Sequence, residues 1–324
     1  MMPFSQHDAT GRLRHLTTLD GLSADEVHQF LERAQRFVRA TGAAPARSHT
    51  LDGVTVAHLF TEPSTRTRAS FELATARLGG TSINLDISLS SRQKGETVLD
   101  TIYTLQAMAV DVFVIRDREP GVCQYVAEHV QDHVSIVSAG EAHLSHPTQG
   151  LLDALTIWQF KGGFRDLVVS IVGDIRHSRV ARSTYLALSK LGVGEIRLVA
   201  PAELMPDPDE MHQAKRLHDI DAGIAHADVI IMLRIQKERM QSLAIPSDDA
   251  YFAQWGLNQQ RLKLARPEVI VMHPGPMNRG VEIASDVADG KHSVIRNQVS
   301  NGVAIRMAVL ETLIENRLDR GSRP

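Results

Sequence analysis

Val54-Thr55-Val56-Ala57-His58-Leu59-Phe60 runs straight into Thr61-Glu62-Pro63-Ser64-Thr65-Arg66-Thr67-Arg68, and the reading of this stretch decides the fold. Its first part is apolar and β-branched, which predicts a strand over 54–60. Ser64 is a good N-cap type, so a helix is expected to open at Thr65 and to run to 78, where Gly79-Gly80 supplies a C-cap. A strand feeding a helix through a short polar turn is the repeating unit of α/β proteins.

The same alternation extends to both sides. Strands are expected over 82–87, 110–116 and 134–138, with helices over 95–108 and 121–130. A second series follows Gly162-Gly163. It has strands over 167–173, 195–200, 228–233 and 268–273, and helices over 178–191, 207–218 and 258–264. Between the series, 147–160 reads as a linking helix with Leu151, Leu152, Leu155 and Trp158 on one side. A long amphipathic helix is expected over 297–318. The fold class is therefore α/β, with two domains, each a mostly parallel sheet flanked by helices, linked by interdomain helices. The expected divisions are 1–150, 151–296 and a C-terminal helix, 297–324, packing back on the first domain.

The chain has 324 residues, 43% hydrophobic and 23% charged, which suits two cores of ordinary soluble type. A net charge of −3 gives no reason to expect nucleic acid as a partner. No apolar run approaches the roughly 18 residues of a membrane span, so no membrane partner is expected. The single cysteine, Cys123, excludes an internal disulfide and a cysteine-based metal site. Residues 1–22 lack the apolar core of a signal peptide, and the expected location is cytoplasmic. His143 and His146, and His129 and His133, have helical spacing, but no carboxylate-rich or cysteine-rich motif accompanies them. Neither a metal nor another cofactor is expected.

The start of the helix at 65 has the makings of an anion site. First-turn N–H groups have no partner inside a helix. Ser64, Thr65 and Thr67 add hydroxyl donors, and Arg66 adds a planar cationic fork suited to phosphate. The G-x-x-x-x-G-K-[S/T] and strand-linked G-x-G-x-x-G loops are both absent, so ATP hydrolysis and dinucleotide binding are not supported. At a second helix start, Pro147 suits the first position, and His146 and Gln149 can point at one small polar group. The positive end of a helix disfavours a protonated imidazole there. Arg116 closes the strand 110–116, at the end where open α/β sheets bind ligands. Arg179 and Arg234 follow later strands and could meet an acceptor that carries two carboxylates.

Taken together, these motifs carry a resemblance. Ser64-Thr65-Arg66-Thr67-Arg68 resembles the carbamoyl phosphate signature of the aspartate/ornithine carbamoyltransferase family. The match continues through Lys94-Gly95-Glu96, His146-Pro147-Thr148-Gln149, Arg234-Ile235-Gln236 and His273-Pro274-Gly275-Pro276, in family order and spacing. The resemblance implies transfer of the carbamoyl group of carbamoyl phosphate to the amine of L-aspartate. The products would be N-carbamoyl-L-aspartate and phosphate, a step of de novo pyrimidine synthesis. It implies that Ser64, Thr65, Arg66, Thr67, Arg116, His146 and Gln149 hold carbamoyl phosphate. Arg66, Thr67, Arg116 and His146 would be the catalytic set, stabilising the phosphate and the oxyanion with no covalent intermediate. Lys94, Arg179, Arg234 and Gln236 would bind aspartate, and the loop at Gly275 and Pro276 would line both substrates. Ser90 and Lys94 are implied to come from a neighbouring subunit. A homotrimer is then the smallest active unit, alone or within a larger assembly with regulatory or dihydroorotase-like chains.

Ornithine-using members typically carry a Cys in the second motif and a His-Cys-Leu-Pro motif near the end. Thr148 fills the first place here and Cys123 is far from both, which argues for aspartate. The alternatives are a carbamoyltransferase for another amine, a nucleotide-dependent oxidoreductase and a non-catalytic regulatory subunit. The turn Gly173-Asp174-Ile175-Arg176-His177-Ser178, with its one glycine, argues against the oxidoreductase. The presence of Arg66, Arg116, His146 and Arg234 argues against the regulatory subunit.

Overall fold

Alternating strands and helices along the chain produce two separate parallel sheets. The computed structural model describes residues 4–40, 43–85, 97–236 and 247–318. The chain divides into two units: the first reaches to Leu151 and takes up the chain again at Ser300, and the second spans Leu152–Val299.

The first unit contains α1 (Ala24–Gln35), β1 (Thr55–Phe60), α2 (Thr65–Arg77), β2 (Thr81–Leu85), α3 (Val98–Ala107), β3 (Val112–Asp117), α4 (Val122–Ala127), β4 (Ser135–Glu141) and the start of α5 (Pro147–Lys161). The strands pair in parallel in the order β2-β1-β3-β4. Side chains on one face of β1, Ala57 and Leu59, pack with Phe113, Ile115 and Ile136 against Ile102, Leu105, Cys123 and Val126 of α3 and α4. Cys123 is thus a core residue, and burial pushes its thiol well above the ordinary range. Ser23 and Glu26 close a capping box on α1, whose Val27, Phe30, Leu31 and Ala34 are buried.

The second unit contains β5 (Val168–Val172), α6 (Arg179–Lys190), β6 (Glu195–Val199), β7 (Lys215–Leu217), α7 (Ile220–Ile224), β8 (Val229–Met232), α8 (Asp248–Trp255), α9 (Gln259–Leu262), β9 (Ile270–Met272) and α10 (Ser285–Ala288). Its sheet is parallel throughout, in the order β7-β6-β5-β8-β9. The last helix, α11 (Ile295–Leu318), starts in this unit and ends in the first.

Two expectations are corrected. Residues 207–218 form turns and then the edge strand β7, not a helix. The Arg216 guanidinium donates to the carbonyls of Pro206 at 2.6 Å, Asp207 at 2.6 Å and Glu210 at 2.7 Å. Those carbonyls would have served a helix, and Lys215, Arg216 and Leu217 pair instead with Arg197, Leu198 and Val199. The closing helix, expected to be amphipathic, is buried on all sides over 301–311, including Asn301, Arg306 and Glu311. Glu311 is met by Arg36 at 2.5 Å and Arg33 at 3.1 Å, so its charge is paired inside the first unit.

Both sheets are doubly wound, and their topology fixes where a ligand can sit. In the first, the chain leaves β1 for β2 on one side, and β3 lies on the other. In the second, β6 lies on one side of β5 and β8 on the other. The crevice at such a reversal, outside the carboxyl ends of the strands, is the usual ligand site. No described helix is long and apolar enough to cross a membrane.

Candidate active site

In the first unit, the turn after β1 and the end of β3 flank the switch point. Arg116 stands opposite Phe60 in the parallel register, and its carbonyl accepts from the Thr61 amide at 3.0 Å and the Thr61 hydroxyl at 3.2 Å. Pro63 ends the extended segment, and Ser64 takes the N-cap position of α2. Its hydroxyl makes no cap bond, contrary to the capping role expected of it. The hydroxyl is therefore not committed to the first-turn amides, as an anion cradle requires. Thr67 is buried, whereas Arg66 and Thr65 are exposed. Arg68 stacks over the Phe60 ring at 5.2 Å and so turns to the sheet side.

Arg116 is held from two sides. Nη1 donates to the Ala139 carbonyl at 3.1 Å, and Nη2 lies 3.1 Å from Glu62 Oε2. Glu62 is thus a carboxylate partner of Arg116, while Asp117 accepts from the Glu119 amide at 2.9 Å. His146 directly precedes α5, and its carbonyl accepts from Gln149 N at 2.9 Å and Gly150 N at 3.3 Å. His146 and Gln149 are both buried, not surface residues of a helix start. The turn after β1, the end of β3 and the segment after β4 therefore carry Ser64–Thr67, Arg116, and His146 with Gln149, at the carboxyl edge of one sheet.

The second unit repeats the arrangement. Gly173 ends β5 with φ +123°, and a Cβ there would lie 2.7 Å from the Leu233 carbonyl, so only glycine lets the ends of β5 and β8 approach this closely. Asp174, wholly buried, follows. Its Oδ1 accepts from the His177 amide at 3.2 Å and lies 2.8 Å from the His177 ring, while Oδ2 takes the Gln236 amide at 3.4 Å. Burial raises the Asp174 carboxyl above its ordinary range, against the lowering effect of His177. Gln236 Nε2 donates to the His177 carbonyl at 3.1 Å, which ties the segment after β8 to the turn after β5. Ser178 caps α6 through Ala181 N, and Arg179 at the first position of that helix is buried. Gly275 and Pro276 follow β9 and are joined by a cis peptide bond. Ser90 and Lys94 lie outside the described residues.

Some residues of these two regions escape motif reading. Glu62 gives no sign in sequence that it will orient Arg116. Arg306 of α11 is buried, stacks over Phe71 of α2 at 4.9 Å and donates to the Gly302 carbonyl at 2.9 Å; burial lowers it to about 9. That cation lies about one helical turn along α2 from Thr67. The available clue was an arginine set within the apolar run 303–310 of that helix. No described group of three or more His, Cys, Asp or Glu is arranged to hold a metal.

Two parallel sheets, each with polar and cationic residues in the segments that follow its strands, make this a two-domain α/β fold with candidate ligand-binding edges. The family model for the carbamoyl-phosphate-binding domain of aspartate/ornithine carbamoyltransferases matches residues 14–159, and that for the Asp/Orn-binding domain matches 165–313. The chain belongs to the aspartate/ornithine carbamoyltransferase family. Aspartate transcarbamoylase from Trypanosoma cruzi, solved with carbamoyl phosphate, is 30% identical; the match covers 95% of this chain and 98% of that one, with a TM-score of 0.85. Ornithine carbamoyltransferase from Pyrococcus furiosus is also 30% identical, over 93% and 97% of the two chains, with a TM-score of 0.82. The Thermus thermophilus ornithine enzyme is 27% identical over 93% and 99%, with a TM-score of 0.81. Overall likeness therefore does not separate the two acceptors, and the choice rests on particular residues.

Proposed function

We propose that this protein transfers the carbamoyl group of carbamoyl phosphate to the amine of L-aspartate, giving N-carbamoyl-L-aspartate and phosphate. The observation that carries the acceptor is the state of Asp174. An ornithine side chain brings an ammonium and favours a carboxylate. The carboxylate beside Gln236 is buried, and donors already occupy both of its oxygens. The same region offers the cations Arg179 and Arg234, which suit an acceptor with two carboxylates. Thr148 and Pro274, standing where the ornithine motifs carry cysteine, support the same reading.

Carbamoyl phosphate brings its own leaving group, so positioning and charge stabilisation suffice. Ser64, Thr65, Arg66 and Thr67 bind the phosphate, and Gln149 holds the carbamoyl nitrogen. The aspartate amine attacks the carbonyl carbon. Arg116, His146 and Thr67 stabilise the oxyanion that forms. The C–O bond to phosphate then breaks, and the amine proton leaves with the phosphate. Arg66 offsets the charge on the departing group. No covalent enzyme intermediate arises. Lys94, Arg179, Arg234 and Gln236 hold the acceptor, with Gly275 and Pro276 lining both substrates. Ser90 and Lys94 come from a neighbouring copy in a homotrimer. The product serves pyrimidine synthesis in the cytoplasm.

The test is phosphate release from carbamoyl phosphate by purified protein with L-aspartate, L-ornithine or no acceptor. Release that depends on L-aspartate, with carbamoyl-aspartate detected, is expected. Release with L-ornithine alone would overturn the acceptor assignment.

A further inference from the structure

We infer that Glu282 is a positioning residue for the Gly275-Pro276 loop, acting through the ring of His273. The inference deepens the proposed function, since it rests on that loop lining the substrates. His273 and Glu282 side chains are both fully buried in the second unit, with His273 Nε2 3.1 Å from Glu282 Oε1. The other ring nitrogen, Nδ1, accepts from the Gly275 amide at 2.8 Å. A nitrogen that accepts carries no proton, so the ring proton sits on Nε2 and is donated to Glu282. The same carboxylate oxygen accepts from the Asn278 amide at 2.5 Å. One oxygen thus gathers the start of the loop through the His273 ring, its middle through Asn278, and its end, because Glu282 closes the segment.

The backbone of His273 is anchored in turn. His273 N donates to Gln298 Oε1 at 3.0 Å, Gln298 Nε2 donates to Asp153 Oδ1 at 2.7 Å, and the Thr184 hydroxyl donates to Asp153 Oδ2 at 2.7 Å. The chain of bonds ends on the Gly275 amide. Rotating the ring or changing its tautomer would present a second N–H to that amide and push the loop away. The other oxygen, Oε2, is buried without a hydrogen-bond partner among the described residues. A buried carboxyl that satisfies only one of its oxygens is costly, which argues that it is kept for orientation rather than packing.

The experiment compares His273→Asn, His273→Gln, Glu282→Ala and the double variant Glu282→Ala/His273→Gln, each checked for its thermal melt. Asn places an oxygen where Nδ1 stood and keeps an acceptor for Gly275. Gln reaches Glu282 but leaves Gly275 without one. Expected is a rise of about tenfold or more in acceptor KM for His273→Gln, with a smaller rise for His273→Asn. Carbamoyl phosphate affinity should stay within about twofold in both. The double variant should match Glu282→Ala alone, because that change already releases both the ring and the Asn278 amide. Equal KM rises for both His273 variants, additive losses in the double variant, or an unchanged acceptor KM in a folded His273→Gln protein would each overturn the inference. Should Glu282→Ala fail to fold, the two His273 variants decide. All KM values are taken with whichever acceptor the wild type uses, so a wrong acceptor assignment shows in the wild-type screen and not here.

Discussion

Arg116 Nη2 sits 3.1 Å from Glu62 Oε2, so a carboxylate from the turn after β1 holds the guanidinium that ends β3. Both side chains are largely shielded, at 12% and 14% exposure, which strengthens the contact relative to a surface pair. Glu62→Ala is expected to lower kcat by up to about a hundredfold by releasing Arg116 from its orientation. Glu62→Gln keeps an acceptor and should lose much less. Steady-state kinetics on both variants checks this, and equal losses would contradict it.

Arg66 is exposed and opens the first turn of α2, so its removal should leave folding intact. Arg66→Ala is expected to reduce turnover on the order of a hundredfold or more, the usual cost of losing one donor to a developing charge. Near-normal turnover in a protein with an unchanged melting temperature would remove Arg66 from the catalytic set.

Arg234→Ala should raise the aspartate KM by about tenfold to a hundredfold, matching the 1.5–3 kcal/mol or so of a charge-assisted hydrogen bond. Carbamoyl phosphate affinity should not move. A parallel rise for both substrates would argue against a dedicated acceptor role.

His58 sits on β1 with both ring nitrogens buried and without a hydrogen-bond partner among the described residues. Burial first, and then the Arg68 charge, lower it from 6.5 to about 4. Because the folded value is depressed, the unfolded chain binds the proton more readily between these two values. The stability associated with neutral His58 is complete above pH 6.5 and is lost as pH falls toward 4. A shift of this size corresponds to about 3 kcal/mol. Denaturant unfolding at pH 7 and 4.5 should show a smaller loss for His58→Leu than for the wild type.

Gly173→Ala is expected to destabilise by at least about 2 kcal/mol, because φ is +123° and the new methyl carbon meets the Leu233 carbonyl at 2.7 Å. Urea unfolding measures it. A neutral result would mean that the ends of β5 and β8 separate freely.

Strand and helix order and the two parallel sheets were legible because each rests on short-range patterning. Phe60 to Arg68 is a strand, a turn and a helix start within one continuous segment, and His146-Pro147 is a helix start on its own. What failed depends on contacts beyond the segment. Met211, Ala214 and Leu217 stand three apart in 207–218, as on one side of a helix, but the structure there is set by pairing with β6 and by Arg216 capturing carbonyls, neither of which has a period to read. Arg306 and Glu311 looked like the polar side of an amphipathic helix because sequence cannot show that other elements cover that side as well.

By itself the sequence determined the α/β class, the family motifs and the candidate residues at the ends of strands, since backbone propensity and periodicity act over a few neighbours. Only the tertiary structure decided who holds whom: Glu62 with Arg116, Asp174 with His177 and Gln236, Glu282 with His273. Such partners come together through burial, which strips water from polar groups and obliges each to find a donor or acceptor wherever the folded chain brings one.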